Sequence, residues 1–237
     1  MKRLMGRAIS SFRMIADGDR VMVAVSGGQD SISLLWLLRE RLKRIPIRYD
    51  IIAVHVELGF GQHTGRKMEE FFIRNDFDHA IINTRFGPLA HSDKNRENPC
   101  FLCSRLRRKA MFEKAAELKC NKIALGHHKD DFIETFFLNL LFGGSVSTIQ
   151  PVQELFRGAI TLIRPLCLLD EAIIKAYANK MGFPAIEGGC PTARSSKRAQ
   201  INSLLTNLCH ANRKIKGNIF NAIQRMERMR QSRDSGL

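Results

Sequence analysis

The chain has 237 residues, with 38 Lys+Arg against 23 Asp+Glu and a formal net charge of +15. At 44% hydrophobic residues it is too apolar for a disordered chain, and it is long enough to bury a core without disulfides. Six cysteines are too sparse for a secreted disulfide scaffold, so reduced thiols and a cytoplasmic location are expected. The excess of positive charge favours a polyanion, nucleic acid above all, although composition alone is equally compatible with a basic soluble surface. No membrane span is expected, because the most apolar stretch, 132–142, is interrupted by Glu134, Thr135 and Asn139.

In chain order, residues 1–19 begin MKRLMGRAISSFRM, which reads as a basic amphipathic helix rather than a signal peptide. Short β-like runs follow at Val21–Val25, Asp50–Val56, His79–Thr84, Lys122–Gly126 and Ile160–Leu166, with helix-like runs between them. Such alternation predicts an α/β fold: a parallel five-stranded sheet with helices on both faces. Asp30–Leu42 places Leu34, Leu35, Leu38 and Leu42 on one face. Asp131–Phe142 does the same with Ile133, Phe136, Phe137, Leu140 and Leu141. Asp170–Met181 reads as a helix stopped by Gly182. The polar stretch 85–99 and the Gly/Pro/Ser-rich stretch 185–196 read as long loops, and 211–237 as a basic helical segment. The expected division is an N-terminal helix (1–19), a sheet domain (20–184) and a C-terminal part (185–237).

The most informative stretch is VMVAV-SGGQDS-ISLLWLL, an apolar strand that runs through Ser26–Ser31 straight into a helix. Two glycines permit a tight turn, and two serines offer hydroxyls. The helix that follows aims its N-terminal amides and positive dipole end at the same place, which makes an anion site. A Walker A loop is excluded because the chain has no Gly-Lys pair, and the dinucleotide fingerprint G-x-G-x-x-G is missing after the first strand.

A second cluster, Leu125-Gly126-His127-His128-Lys129-Asp130-Asp131, ends a strand and opens a helix. Adjacent carboxylates beside a phosphate site suit Mg²⁺, but Asp130 also suits a helix cap. His127 and His128 either polarise a phosphate or fill space.

Cys100-Phe101-Leu102-Cys103 starts a helix, where the dipole and Arg105, Arg108 and Lys109 favour thiolates. A redox dithiol, a zinc site, an iron–sulfur site and a pair of core cysteines are all compatible with this spacing. Cys120, Cys167 and Cys209 sit in apolar surroundings and are expected to be small buried residues. Arg105, Arg107, Arg108, Lys109, Arg194, Lys197 and Arg198 are candidate contacts to RNA phosphates.

SGGQDS resembles the pyrophosphate-loop (PP-loop) signature of the ATP pyrophosphatase superfamily, whose members cleave ATP between the α and β phosphates and adenylate a substrate. The resemblance implies pyrophosphate held by Ser26, Gly27, Gly28 and Ser31 and Mg²⁺ placed by Asp30. It implies adenosine framed by Ala24, Val25 and Val54. LGHHKDD resembles the GHHxDD motif of PP-loop enzymes acting on tRNA, which implies Gly126 against the nucleotide and Asp130 or Asp131 at the metal.

PCFLCSRLRRKAMFEKAAEL, KIALGHHKDDFIETFFLNLLFGG and the later Ile163-Arg164-Pro165-Leu166 are together similar to the tRNA 2-thiocytidine synthetase (TtcA) family, over roughly Arg20 to Gln200. In that family a C-x-x-C and one later cysteine hold a [4Fe–4S] cluster with one iron open to exogenous sulfur. Here this implies Cys100, Cys103 and Cys190. The implied reaction is ATP-dependent thiolation of an anticodon-loop cytidine at C2. The implied partners are tRNA, a sulfur donor (a cysteine desulfurase system or sulfide) and a second copy of the chain in a homodimer. Alternatives are a 2-thiouridine synthetase, a lysidine synthetase-like ligase, a non-catalytic RNA-binding module and a small-molecule sulfurtransferase. The first lacks its paired C-x-x-C knuckles here, and the second leaves the clustered cysteines without a job.

Overall fold

The computed structural model describes residues 1–61, 63–186, 188–192, 197–212 and 214–234, with side chains described to residue 229. The chain forms two compact units. One comprises Met1–His128 and Pro151–Pro191, the other Lys129–Gln150 and Thr192–Leu237.

The first unit is built on a sheet. After α1 (Lys2–Ser11) come β1 (Arg20–Ala24), α2 (Gln29–Leu42), β2 (Asp50–Glu57), α3 (Thr64–Arg74) and β3 (His79–Asn83). A short α4 (Phe86–Ala90) lies within the stretch expected to be loop, and α5 (Pro99–Glu117) leads to β4 (Lys122–Leu125). The order across the sheet is β3-β2-β1-β4-β6-β5. All neighbours are parallel except β5 (Val152–Leu155) and β6 (Ile160–Ile163), which form an antiparallel hairpin. The five expected strands are present, and β5 is a sixth. Its two middle residues, Gln153 and Glu154, are exposed at the sheet edge, so no apolar run announces it.

Val21, Met22 and Val23 of β1 are fully buried, as a central strand covered on both faces requires. The helix α2 covers the sheet with Ile32, Leu34, Leu35 and Leu38, and α7 (Glu171–Met181) packs beside α2. Because β2 and β4 flank β1 on opposite sides, the carboxyl ends of β1 and β4 open a crevice at the point where the strand order reverses. Ligands of open α/β sheets bind at such crevices.

The second unit is helical: α6 (Lys129–Gly143), α8 (Lys197–Ala211) and α9 (Ile215–Asp234). Phe132 of α6 meets Phe220 of α9 with ring centroids 6.4 Å apart. Of the apolar face expected along α6 only Ile133 is buried, with Phe136 and Phe137 half-buried; Phe132, outside that face, is buried as well. Leu140, Leu141 and Phe142 are exposed, although Lys197 of α8 reaches the Phe142 ring. No described helix is long and apolar enough to cross a membrane.

Candidate nucleotide and cysteine site

The loop between β1 and α2 is closed by its own serines. Ser31 Oγ donates to the Gly28 carbonyl (2.8 Å) and accepts from the Ser26 amide (3.1 Å), while the Gly28 amide donates to Ser26 Oγ (3.3 Å). Helix α2 starts after Gly28 with no side chain capping it, so the amides of its first turn are left for an anion. Gly27 has φ +96°, and a Cβ there would come within 2.8 Å of the Ile186 carbonyl oxygen. Only glycine fits, on both counts.

The loop is held from two further directions. The Ile186 amide donates to the Gly27 carbonyl at 3.0 Å. Gln29 Nε2 donates to Asn179 Oδ1 (3.2 Å) and to the Phe183 carbonyl (3.4 Å). On the other side Gly126, at the end of β4, abuts the first turn of α2; a Cβ there would lie 3.1 Å from both Cα and N of Ser31. The missing side chain of Gly126 thus makes room for the phosphate loop itself. Val54, expected to frame a ligand, is buried in the core, and its carbonyl accepts from the Val25 amide at 2.9 Å. Ala24 is packed against the same core.

The two signatures meet at Asp30 and His128, where Nε2 lies 3.8 Å from Oδ2. The neighbouring His127 receives a hydrogen bond at Nδ1 from Nε of the buried Arg164 (3.1 Å). A guanidinium only donates, so the ring proton of His127 is on Nε2.

Beneath the loop, the buried His55 donates from Nδ1 to the Val25 carbonyl (2.8 Å), and its Nε2 faces Thr64 Oγ1 (3.3 Å). That hydroxyl gives its proton to Glu57 Oε2 (2.6 Å), and the Glu57 carboxylate also accepts from the amides of Gly59 (2.9 Å) and Gly65 (2.6 Å). Burial lowers the pKa of His55, against the opposing pull of Val25 and Glu57. For Glu57, burial raises the pKa, but the bonds from Thr64, Gly59 and Gly65 outweigh it and hold the group below its ordinary range.

Asn98 caps α5, accepting from the amides of Cys100 (3.0 Å) and Phe101 (3.4 Å), and Pro99 occupies the first helical position. This sets Cys100 and Cys103 one turn apart on the same helix. Cys100 is exposed, while Cys103 and Cys190 are half-buried. Burial pushes the Cys103 thiol up, Arg107 pulls it down, and both Cys190 and Cys100 push it up again. Cys190 therefore lies within electrostatic reach of the C-x-x-C. Among the described residues no group of three or more His, Cys, Asp or Glu side chains is drawn together tightly enough to hold an ion as it stands. Three thiols with this mutual influence are nonetheless the donor set an iron–sulfur cluster takes. Mg²⁺ does not need such a group, since one carboxylate plus phosphate oxygens and water suffice, and Asp30 beside the loop fits that.

Cys120 and Cys167 are buried as expected, and burial carries the Cys167 thiol up to about 12. Cys209 is only half-buried, because α8 presents that face to few neighbours in a three-helix unit.

Asp130 and Asp131 stand in the first turn of α6 and are ion-paired within the second unit. Lys216 meets Asp130, and Arg198 reaches Asp131 at 3.0 Å. Lys197 sits over the Phe142 ring at 4.6 Å. On α5, Arg105, Arg107, Arg108 and Lys109 are exposed; Arg105 reaches Glu97 (3.3 Å) and Lys109 reaches Glu113 (3.7 Å). Arg194 lies outside the described residues. Gln29, His55, Arg164 and Ile186 were not among the candidates. Gln29 sits within the SGGQDS motif and Arg164 within the Ile163-Arg164-Pro165-Leu166 stretch, whereas His55 and Ile186 carry no local signal.

The switch-point crevice, the uncapped helix start and the serine-closed loop define an α/β domain with an anion-binding loop. The family described as PP-loop domain matches residues 2–208. The tRNA-cytidine(32) 2-sulfurtransferase of Syntrophotalea carbinolica is 39% identical over 212 residues, covering 88% of this chain and 82% of that protein. That of Citrifermentans bemidjiense is 34% identical over 241 residues, covering 100% and 94%. Among solved structures, the U34-tRNA thiolase NcsA from Methanococcus maripaludis with its [4Fe–4S] cluster has the same fold, with a TM-score of 0.77 at 22% identity over 95% of this chain and 78% of that one. The chain belongs to the PP-loop family, and within it to the tRNA 2-thiocytidine synthetases.

Proposed function

We propose that this chain is an ATP-dependent tRNA thiolase that converts an anticodon-loop cytidine to 2-thiocytidine. The observation that carries the reading is that the serine-closed phosphate loop, the C-x-x-C at the capped start of α5 and Cys190 all belong to one compact unit. Relatives at 34–39% identity that bear a tRNA-cytidine sulfurtransferase name support it.

In this mechanism ATP lays its phosphates on the amides of Gly27, Gly28 and the first turn of α2, with Ser26 and Ser31 shaping the loop. Asp30 holds Mg²⁺ against the phosphate oxygens, and Asp130 and Asp131 are further candidate ligands. His127, with its proton on Nε2, donates to a phosphate oxygen. The C2 carbonyl oxygen of cytidine attacks the α-phosphorus, the bond to the β-phosphate oxygen breaks, and pyrophosphate departs. The base then carries AMP on its former carbonyl oxygen. A sulfide sulfur adds at C2, and the C2–O bond breaks with loss of AMP. Cys100, Cys103 and Cys190 would hold a [4Fe–4S] cluster, which supplies a thiophilic site for that sulfide. The basic side chains of α5 and α8 hold the tRNA backbone, and the base leaves its stack to reach the loop. Sulfide or a cysteine desulfurase as donor, a homodimer as the assembled form and the cytoplasm as the compartment belong to the same proposal.

The test measures iron, acid-labile sulfide and zinc after anaerobic purification of wild type and Cys190→Ser, together with nucleoside analysis of tRNA incubated with ATP, Mg²⁺ and sulfide. About four irons per chain, lost in Cys190→Ser, with 2-thiocytidine formed only by wild type, is the expected result. Zinc in place of iron, or 2-thiouridine or lysidine as product, would overturn it.

A further inference from the structure

Helix α3 buries Thr64, Gly65, Met68 and Phe72 against the sheet. A flank of the same helix, carrying Lys67, Phe71 and Arg74, lines a groove of about 460 Å³. The far wall is the segment Met181–Ile186, and the floor is Trp36 of α2, the sole tryptophan of the chain. A groove of this volume accepts a ligand the size of one or two nucleotides.

Its chemistry is uneven in a useful way. Glu70 is the one carboxylate in the lining among the described residues, and Arg66 pairs with it at 3.6 Å. Lys67 and Arg74 have no ion-pair partner among the described residues, so the groove keeps an uncompensated positive charge. They stand two turns apart, about 10 Å along the axis, which is too far to grip one phosphate and suits successive phosphates of a chain. Between them Phe71 offers a half-exposed ring, and Phe183 and Pro184 face it from the other wall. Unpaired cations interleaved with aromatic faces are the recognition elements of a single nucleic-acid strand. The Trp36 Nε1–H is buried without an acceptor, an orphaned donor in a residue that lines the groove.

The groove also connects to the site already described. Ile186 ends its far wall and donates its amide to Gly27 of the phosphate loop, and the same segment runs on to Cys190. We propose that this groove seats the single-stranded RNA flanking the nucleotide to be modified, with Lys67 and Arg74 on the phosphates and a base against Phe71. The inference rests on the RNA-modifying reading and adds where the strand lies.

Trp36 makes the test direct. Full-length, anaerobically purified protein is titrated with unmodified tRNA and with a single-stranded RNA oligonucleotide while tryptophan emission is recorded, and tRNA binding is measured separately by filter retention. The expected result is a saturable change in emission with both RNAs. Phe71→Ala, and Lys67→Ala with Arg74→Ala, are expected to weaken tRNA binding roughly tenfold, with Phe71→Tyr restoring it. The double lysine–arginine variant should also flatten the slope of log K against log salt by about 1 to 2. ATP protection of the phosphate loop from proteolysis should be unchanged in all of them, which shows that they fold. Normal tRNA retention with silent Trp36 emission, or variants that bind tRNA like wild type, would overturn the groove and leave the proposed reaction standing. Absence of any tRNA retention by wild type would overturn both. Binding of a protein partner that tRNA does not displace would assign the groove to that partner instead.

Discussion

His55 Nδ1 donates to the carbonyl oxygen of Val25 at 2.8 Å, one residue before the phosphate loop begins. The bond fixes the strand exit from below, while the Nε2 edge of the same imidazole faces Thr64, the first residue of α3, whose hydroxyl proton goes to Glu57. His55→Leu is expected to cost about 1–3 kcal/mol of stability, since it orphans a buried carbonyl, and to raise the KM for ATP more than it lowers kcat. The acid limb of stability follows from two groups lowered in the fold. The neutral His55 ring contributes fully above its ordinary 6.5, and that contribution is lost as pH falls through its lower folded value. Glu57 adds a second loss below its ordinary 4.5. Urea unfolding as a function of pH should show both declines in wild type and only the lower one in His55→Leu.

At the cysteines the signs can be set against each other. Arg107 lowers the Cys103 thiol and Cys190 raises it. In reduced, iron-free protein Arg107→Ala should therefore shift the pH profile of Cys103 alkylation upward, and Cys190→Ala should shift it downward. Equal profiles for the two variants would mean that Cys190 does not lie where the C-x-x-C can feel it.

Gly126→Ala tests the joint between the two signatures. Its Cβ would press on the backbone of Ser31, which cannot rotate away as a side chain would. A destabilisation of about 1–3 kcal/mol is expected, with a KM for ATP at least tenfold higher. Thermal unfolding and pyrophosphate-release kinetics measure the two effects separately.

Asp131 is held by Arg198, itself half-exposed. If Asp131 is also a magnesium ligand, the cation and the metal compete for it. Arg198→Ala is then expected to lower the Mg²⁺ needed for half-maximal pyrophosphate release by up to about fivefold, the range of a partly exposed ion pair. Asp131→Asn should raise it. An unchanged Mg²⁺ requirement in both variants would remove Asp131 from the metal's ligands.

The parallel strands were legible because each is an apolar run bounded by turn residues, and SGGQDS was legible because an anion loop needs a fixed local spacing. The hairpin strand β5 was not, since Gln153 and Glu154 face solvent and its pairing depends on a turn with Phe156 and Arg157 at positive φ. The 3.6-residue period of α6 indicated a helix correctly. It did not indicate that Leu141 is left exposed, because periodicity shows that a face is apolar without showing how much partner surface the rest of the chain supplies. His55 acts through a contact between strand ends far apart in sequence, and a lone histidine in an apolar run carries no mark of that; the stretch around Arg164 marks the family without marking the bond to His127. Lys67 and Arg74 were hidden for a similar reason: the groove they line exists only once 181–186 folds back beside α3.

The bond from Ile186 to Gly27 also sets an order of events during synthesis. The phosphate loop leaves the ribosome early, but the segment that holds it open arrives only after every strand of the sheet has been made. A nascent chain halted before α7 would carry the complete motif and still lack a finished nucleotide site. ATP affinity is thereby withheld until the polypeptide has also produced Cys190.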